Sequence, residues 1–296
     1  MDLTAAELRV LDAVERAGSF SAAAVALDLT QSAVSHSVRM TERKLGTVLF
    51  DRGRHGARPT PAGERAILHG RGVLRLMDVL RADARAAAGG SLDTRLRIAA
   101  FRSAAAQLLP PALTRLTARH PQLSYDVSIV RDVGGGTATE VVEGRADLAI
   151  VNLPHRLPAS AGLVGGELLD EPYVLIHPAD CLDPRSLPLI DWTENCSTET
   201  GHWFRTQDWL PPATINVADD TVLLSMVAHG LGMAVVPETT AADRAPEVAV
   251  EPLGPTAPRR TIGYLTTPAL SRSTALRELV AELRATRPGA VPSDRT

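Results

Sequence analysis

Apolar residues recur at helical spacing through the first ninety positions and then give way to short alternating runs, so the chain divides by pattern. Thr4-Ala-Ala-Glu7 has the spacing of a capping box, Leu8, Leu11 and Val14 follow on one face, and Gly18 ends a first helix. Ser19-Phe20-Ser21 restarts a short second helix through Ala22, Ala23, Ala24, Val25, Ala26 and Leu27, whose small side chains allow another helix to approach closely. Thr30 caps a third helix from Gln31 to about Leu45, stopped by Gly46. Three helices with such short joints form a helix-turn-helix. On the third, Val34, Val38, Thr41 and Leu45 make the inward stripe, with the Thr41 hydroxyl bonding a carbonyl one turn back.

Val48-Leu49-Phe50 then begins a strand, and Asp51 to Arg58 is a glycine-punctuated hairpin. Thr60 as cap and Pro61 at the first helical position open a long helix to about Ala88. Ile67, Leu68, Val73, Leu74, Leu76, Met77, Val79 and Leu80 form a wide apolar band on it. Such a band either pairs with its twin in a dimer or folds back onto its own domain; Gly89-Gly90-Ser91 after it reads as a hinge. From Arg95 strands and helices alternate: strands at 95–101, 124–130, 146–151, 173–176, 189–190, 233–236 and 260–265, and helices at 104–120, 137–144, 221–229 and 271–285. Repeated βα units imply an open α/β sheet, here in two lobes of similar size.

Composition narrows the classes. The chain has 296 residues, 45% hydrophobic and 22% charged, which suits a folded protein of two or three domains. No apolar run approaches the roughly 20 residues that span a bilayer, and the N-terminus lacks a secretory pattern, so no membrane partner is expected. Two cysteines, Cys181 and Cys196, make neither a disulfide scaffold nor a zinc site, and a reducing, cytoplasmic location follows as the expectation. Net charge is −3, yet residues 29–75 hold nine basic residues against three acids, which points to a polyanion at that end. Gln31, Ser32, Ser35, His36, Arg39 and Arg43 occupy the outward stripe of the third helix. Short hydrogen-bonding groups come first and cations follow, the order in which a recognition helix reads base edges and neutralises phosphate. Arg52, Arg54 and Arg58 turn the hairpin beside it into a basic wing, and Thr60 completes the candidate DNA contacts.

These residues resemble the LysR-type transcriptional regulators. The resemblance runs from Phe20-Ser21 through Thr30-Gln31-Ser32-Ala33-Val34-Ser35, then Glu42-Arg-Lys-Leu45-Gly46, Leu49-Phe50-Asp51-Arg52 and Thr60-Pro61-Ala62-Gly63. Ser32 stands where the family usually has proline, His36 where arginine is common, and Thr41 where an apolar residue faces the core. Further on, Gly144-Arg-Ala-Asp147-Leu-Ala-Ile and Val227-Ala-His-Gly230-Leu-Gly232-Met-Ala-Val-Val-Pro237 are similar to the family's effector domain. The resemblance implies a winged helix-turn-helix over 1–60, a linker helix and hinge over 61–91 for dimerisation, and a two-lobed α/β, periplasmic-binding-protein-like effector domain over 92–290. Lobe one would be 92–164 plus 267–290, lobe two 165–266, and 291–296 a tail. It implies double-stranded DNA with an inverted-repeat operator, a small-molecule effector, self-association as a dimer and further as a tetramer, and RNA polymerase as an additional candidate partner.

An effector cleft belongs between the lobes, at strand C-termini and helix N-termini. Arg102 and Ser103, where Ser103 can cap the following helix, come first, then Arg131 and Asn152 at the next strand ends; Thr198, His202 and Thr221 answer from lobe two. A small anionic metabolite is the ligand these arginines suggest. Ser103, His202 and Asp147 could be nominated as a hydrolase triad, but no G-x-S-x-G elbow accompanies them, and neither metal-ligand spacing nor a phosphate loop is present, so neither an enzyme nor a cofactor is expected. A small-molecule-binding protein without specific DNA function is the competing class; it would leave the recognition helix and wing without a purpose.

Overall fold

The computed structural model describes residues 2–53, 56–132, 135–154, 162–192 and 198–287. They form two compact units, one of residues 1–94 with 143–145, the other of 95–142 with 146–296.

The first unit begins with helices α1 (Ala5–Ala17), α2 (Phe20–Ala26) and α3 (Gln31–Leu45). Each starts on a residue whose hydroxyl accepts a first-turn amide, Thr4, Ser19 and Thr30, and Thr4 with Glu7 forms a complete capping box. Gly18 and Gly46 end α1 and α3 in the left-handed conformation. Leu11, Val14, Ala23, Ala24, Val34 and Val38 meet in one core with Leu49, Phe50 and Ile67. Ala23 is fully buried, and its small side chain allows the close approach expected of α2. Strands β1 (Phe50–Gly53) and β2 (Gly56–Pro59) form the antiparallel wing, with Asp51 opposite Arg58.

Thr41 is buried and donates to the Ser37 carbonyl at 3.0 Å, as expected of a hydroxyl in a helix core. Two positions on α3 differ from the expected stripes. Leu45 is 41% exposed, because the apolar contact ends before the helix does. Ser35 is buried because its neighbours one turn either side lie over it: Gln31 Nε2 donates to its hydroxyl and Arg39 Nε to its carbonyl, both at 3.2 Å.

Helix α4 (Pro61–Ala87) is capped by Thr60, and its apolar band divides. Ile67 is buried in the domain core, while Val73, Leu76 and Leu80 stand exposed further along. Gly63 is where α4 crosses the backbone before β1: a Cβ there would lie 2.0 Å from the Leu49 carbonyl oxygen.

The second unit contains β3 (Arg95–Ala100), α5 (Arg102–Arg119), β4 (Ser124–Ile129), α6 (Gly136–Val142), β5 (Leu148–Leu153) and β6 (Val164–Pro178). There follow β7 (Leu189–Trp192), α7 (Thr198–Arg205), β8 (Ala213–Val217), α8 (Asp220–Ala228), β9 (Ala234–Pro237) and α9 (Glu238–Ala241). β10 (Val248–Pro252), β11 (Arg259–Thr266) and α10 (Thr274–Ala285) close the chain.

β3 pairs in parallel with β4 and β5, and β11 runs antiparallel between β5 and the first half of β6. The second half of β6 pairs with β9 and β10, and a bridge from Met233 to Leu189 brings in β7 and β8. One long strand therefore serves two sheets. The pairing puts β11 and the first half of β6 in the first sheet, whereas the sequence expectation assigned 165–266 wholly to lobe two.

Other differences have local causes. α5 starts at Arg102 rather than Ala104, so Ser103 lies inside it and its cap residue is Phe101, which makes no side-chain cap bond. α8 is capped by Asp219, whose carboxylate takes the amides of Thr221 and Val222. Helix α7 lies where the sequence pattern gave no helix; the Thr-Glu-Thr-Gly run is a poor helix former, but burial of Trp203 anchors the turn.

Gly63→Ala is expected to destabilise the first unit by about 2 kcal/mol or more through the clash with Leu49. Gly72→Ala on the same helix meets no atom within 4 Å and is expected to stabilise it by about 1 kcal/mol. Urea unfolding of the full chain followed by circular dichroism separates the two.

Candidate functional site

On the first unit, Gln31, Ser32, His36, Arg39 and Arg43 are exposed along α3, and Arg58 is exposed on β2. The Ser35 hydroxyl is instead covered by Gln31. The Thr60 hydroxyl donates to the Val48 carbonyl at 2.8 Å and accepts from Gly63 N at 3.0 Å, so within the fold it joins the wing to α4. Arg54 lies outside the described residues, as does the side chain of Arg52.

Several cations counted in the basic excess turn inward. Lys44, the chain's single lysine, donates to both Glu7 carboxylate oxygens at 2.7 and 2.8 Å and to the Asp2 carbonyl at 2.9 Å. That ion pair, with the Thr4 amide, holds the Glu7 carboxyl below its ordinary pKa. Arg71 is committed to Asp12 and Glu15. Glu42 accepts the amides of Leu49 and Phe50 and so anchors the start of the wing to α3. What remains exposed among the described residues of this stretch is a row of polar groups followed by guanidiniums on α3, with further arginines at Arg58 on the adjacent hairpin and Arg65 on α4.

In the second unit, register brings the candidate cleft residues together. Ala100 lies beside Ile129, and Ala99 beside Ala149. Arg102–Ser103, Arg131–Asp132 and Asn152 therefore stand at the C-terminal ends of three neighbouring parallel strands. Asp147 precedes β5, at the opposite end of that sheet, and holds Arg97 through the backbone amide and the guanidinium. A triad of Ser103, His202 and Asp147 is thus not assembled. Arg102 Nε is bonded to Asp220 at the start of α8, and Gln107 Nε2 reaches Asp243 at 2.6 Å, so α5 is tied to lobe two at two points. Burial works against the Arg102 cation, but the bond to Asp220 and the charges of Asp220, Asp219 and Asp243 outweigh it and raise its pKa. The Thr221 hydroxyl and the amides of Thr221 and Val222 lower that of Asp219. Thr221 and His202 are exposed on α8 and α7; the Thr198 side chain is outside the described residues.

Sequence reasoning missed the centre of this arrangement. Arg260 on β11 and Glu171 on β6 are cross-strand partners, 9% and 2% exposed, joined at 2.6 Å. Arg260 Nη2 also donates to Ser103 Oγ at 3.1 Å and Thr239 Oγ1 at 2.9 Å, and its guanidinium lies 5.1 Å from the Phe101 ring. Glu171 further accepts the Thr239 amide and hydroxyl. The signal in the sequence was weak, because Glu171 adjoins Asp170 and Arg260 adjoins Arg259, so neither stands out as a charge inside an apolar strand pattern. Next to this cluster, burial raises the pKa of Asp132, against the Asn152 amide and the charge of Arg260. No group of three or more His, Cys, Asp or Glu among the described residues could hold a metal ion, and no described helix is long and apolar enough to cross a membrane.

Comparison with known proteins settles the family. Residues 5–64 match the model of the bacterial regulatory helix-turn-helix protein, lysR family, and residues 89–288 match the LysR substrate binding domain. The chain belongs to the LysR family of DNA-binding transcriptional regulators. A probable HTH-type transcriptional regulator, LrrA from Synechococcus elongatus, is 36% identical over 87% of this chain and 88% of its own. A full-length OxyR variant from Pseudomonas aeruginosa superposes with a TM-score of 0.72 at 25% identity, over 97% of this chain and 99% of that one. Full-length CbnR, solved with its target DNA, shares the fold at a TM-score of 0.67 and 22% identity, over 96% of this chain and 100% of that one. This LysR-type regulator thus combines a winged helix-turn-helix with a two-lobed effector-binding domain.

Arg260→Met leaves Glu171 buried without its cation and is expected to destabilise the effector domain by about 3–5 kcal/mol. Adding Glu171→Leu should recover much of that loss. The test is denaturant unfolding read by tryptophan fluorescence, and a double variant no more stable than the single would contradict the pairing.

Proposed function

We propose that this regulator reads an inverted-repeat operator with the exposed face of α3. Gln31, Ser32 and His36 meet base edges there, with Ser35 orienting Gln31 from below. Arg39 and Arg43, with Arg52, Arg54 and Arg58 of the wing, bind phosphate, and Thr60 fixes the wing's position. The observation supporting this is the exposed row from Gln31 to Arg43 on one helix beside the Arg58 hairpin. Val73, Leu76 and Leu80, exposed at spacings of three and four residues on α4, are the stripe through which two copies pair, and two such dimers form the tetramer.

A small-molecule effector enters the cleft lined by Arg102, Ser103, Arg131, Asn152, Thr198, His202 and Thr221. It binds one lobe geometry better than another and thereby changes the spacing of the paired recognition helices. The protein acts in the cytoplasm, without a cofactor, and its bound position on DNA sets its effect on RNA polymerase.

Replacing Gln31 by Ala should weaken binding to the operator by about 1–3 kcal/mol while leaving binding to unrelated DNA almost unchanged. Arg58→Ala should weaken both and flatten the dependence of log affinity on log salt by about 0.9 for each phosphate no longer neutralised. Fluorescence anisotropy at several salt concentrations measures both. Equal losses for Gln31→Ala on operator and unrelated DNA would contradict base reading.

A further inference from the structure

Two polar atoms in the candidate cleft have complementary needs, and together they define a ligand. Ser103 is 2% exposed, and its Oγ accepts from Arg260 Nη2. A hydroxyl carries one proton and two lone pairs, and a guanidinium can only donate. The Arg260 bond therefore occupies a lone pair and leaves the Ser103 proton free to donate, polarised by the cation behind it. Arg102 adds a second donor at this end: Asp220 takes Nε, and Nη2 is buried with no hydrogen-bond partner. Phe101 supplies no side-chain cap to the first turn of α5.

At Asn152 the polarity is reversed. The Asp132 carboxylate accepts the backbone amide of Asn152 at 2.9 Å. The side-chain Oδ1 of Asn152 is buried and without a partner. It is an acceptor backed by an anion, as Ser103 is a donor backed by a cation. Both stand at C-terminal ends of neighbouring parallel strands, which lie about 4.8 Å apart. A simple carboxylate would satisfy Ser103 and Arg102 but leave Asn152 Oδ1 unsatisfied, at the cost that any buried unpaired acceptor carries. The cleft is also not cationic on balance: Glu171 offsets Arg260, Asp220 offsets Arg102, and Asp132, Asp219 and Asp243 stand close by.

Resting on the reading of this cleft as the effector site, we propose that the effector is a free α-amino acid. Its carboxylate accepts from Ser103 Oγ and Arg102 Nη2, and its ammonium donates to Asn152 Oδ1. One carbon separates the two charged groups, a span compact enough for neighbouring strand ends. The simple anion suggested by the arginines alone is replaced by a molecule that is neutral overall and polar at both ends.

The test uses the full chain and the twenty proteinogenic amino acids. All three tryptophans, Trp192, Trp203 and Trp209, lie in lobe two, so their fluorescence reports ligand entry, with thermal stabilisation as a second readout. At least one amino acid should bind saturably. Its N-acetyl derivative, its carboxamide and the matching acid without the amine should each bind about tenfold more weakly or worse. Ser103→Ala and Asn152→Ala should each weaken the free amino acid by a similar factor. If none of the twenty binds, the proposal is overturned. If the acid lacking the amine binds equally well and is weakened by Ser103→Ala, the zwitterion is overturned while the cleft reading stands. If an amino acid binds and neither substitution affects it, both are overturned.

Discussion

Arg260 and Glu171 face each other across β11 and β6 where the chain passes between its two sheets, and α5 and α9 are both bonded to that ion pair. The pair is nearly dry, so its attraction is little screened, and the cost of removing both charges from water is offset only because their remaining hydrogen-bonding capacity is used. Ser103 at the start of α5 and Thr239 at the start of α9 supply those bonds. One ion pair therefore ties two crossover strands to two helix N-termini, in the place where a ligand between the lobes would be felt. Apolar side chains of the same volume could hold the strands together as well. They could not orient the Ser103 hydroxyl.

The DNA-binding unit is built the opposite way. Its core is small and mainly aliphatic around Phe50, and the close packing of Ala23 and Ala24 leaves little room for adjustment. Polar groups serve position: Lys44 fastens the end of α3 to the start of α1, and Glu42 fastens α3 to the wing. The charges needed for a polyanion are thereby separated from those needed for the fold. A basic excess read from composition does not make that distinction, because Lys44 and Arg71 count in it equally with Arg39 and Arg58.

Much of the first unit was legible in sequence because its signals are local. Capping residues, terminating glycines and a 3.6-residue apolar period all act within one or two turns, and α1, α2, α3 and α4 fall where those signals put them. The second unit was read less completely because its signals are not local. β8 and β10 are short edge strands, and β6 is a long strand whose first half contains Gly165, Gly166 and the acids Glu167, Asp170 and Glu171, and so lacks a strong pattern. Ser103 was found for the wrong local reason, as a cap, when its partner is an arginine 157 positions away. Arg260 and Glu171 were not found at all, since each adjoins another charge, Arg259 and Asp170, and looks like part of an exposed strand end until the topology brings its counter-charge opposite.

The proposed function rests on two copies of one recognition helix reading symmetric DNA. Selection of bound sequences from a random double-stranded pool by the full chain, at moderate salt with competitor, tests that most directly. The predicted result is an enriched inverted repeat whose half-site centres are separated by one helical turn or a multiple of it. An enriched pool with no symmetric half-sites, or no enrichment above competitor, would contradict it.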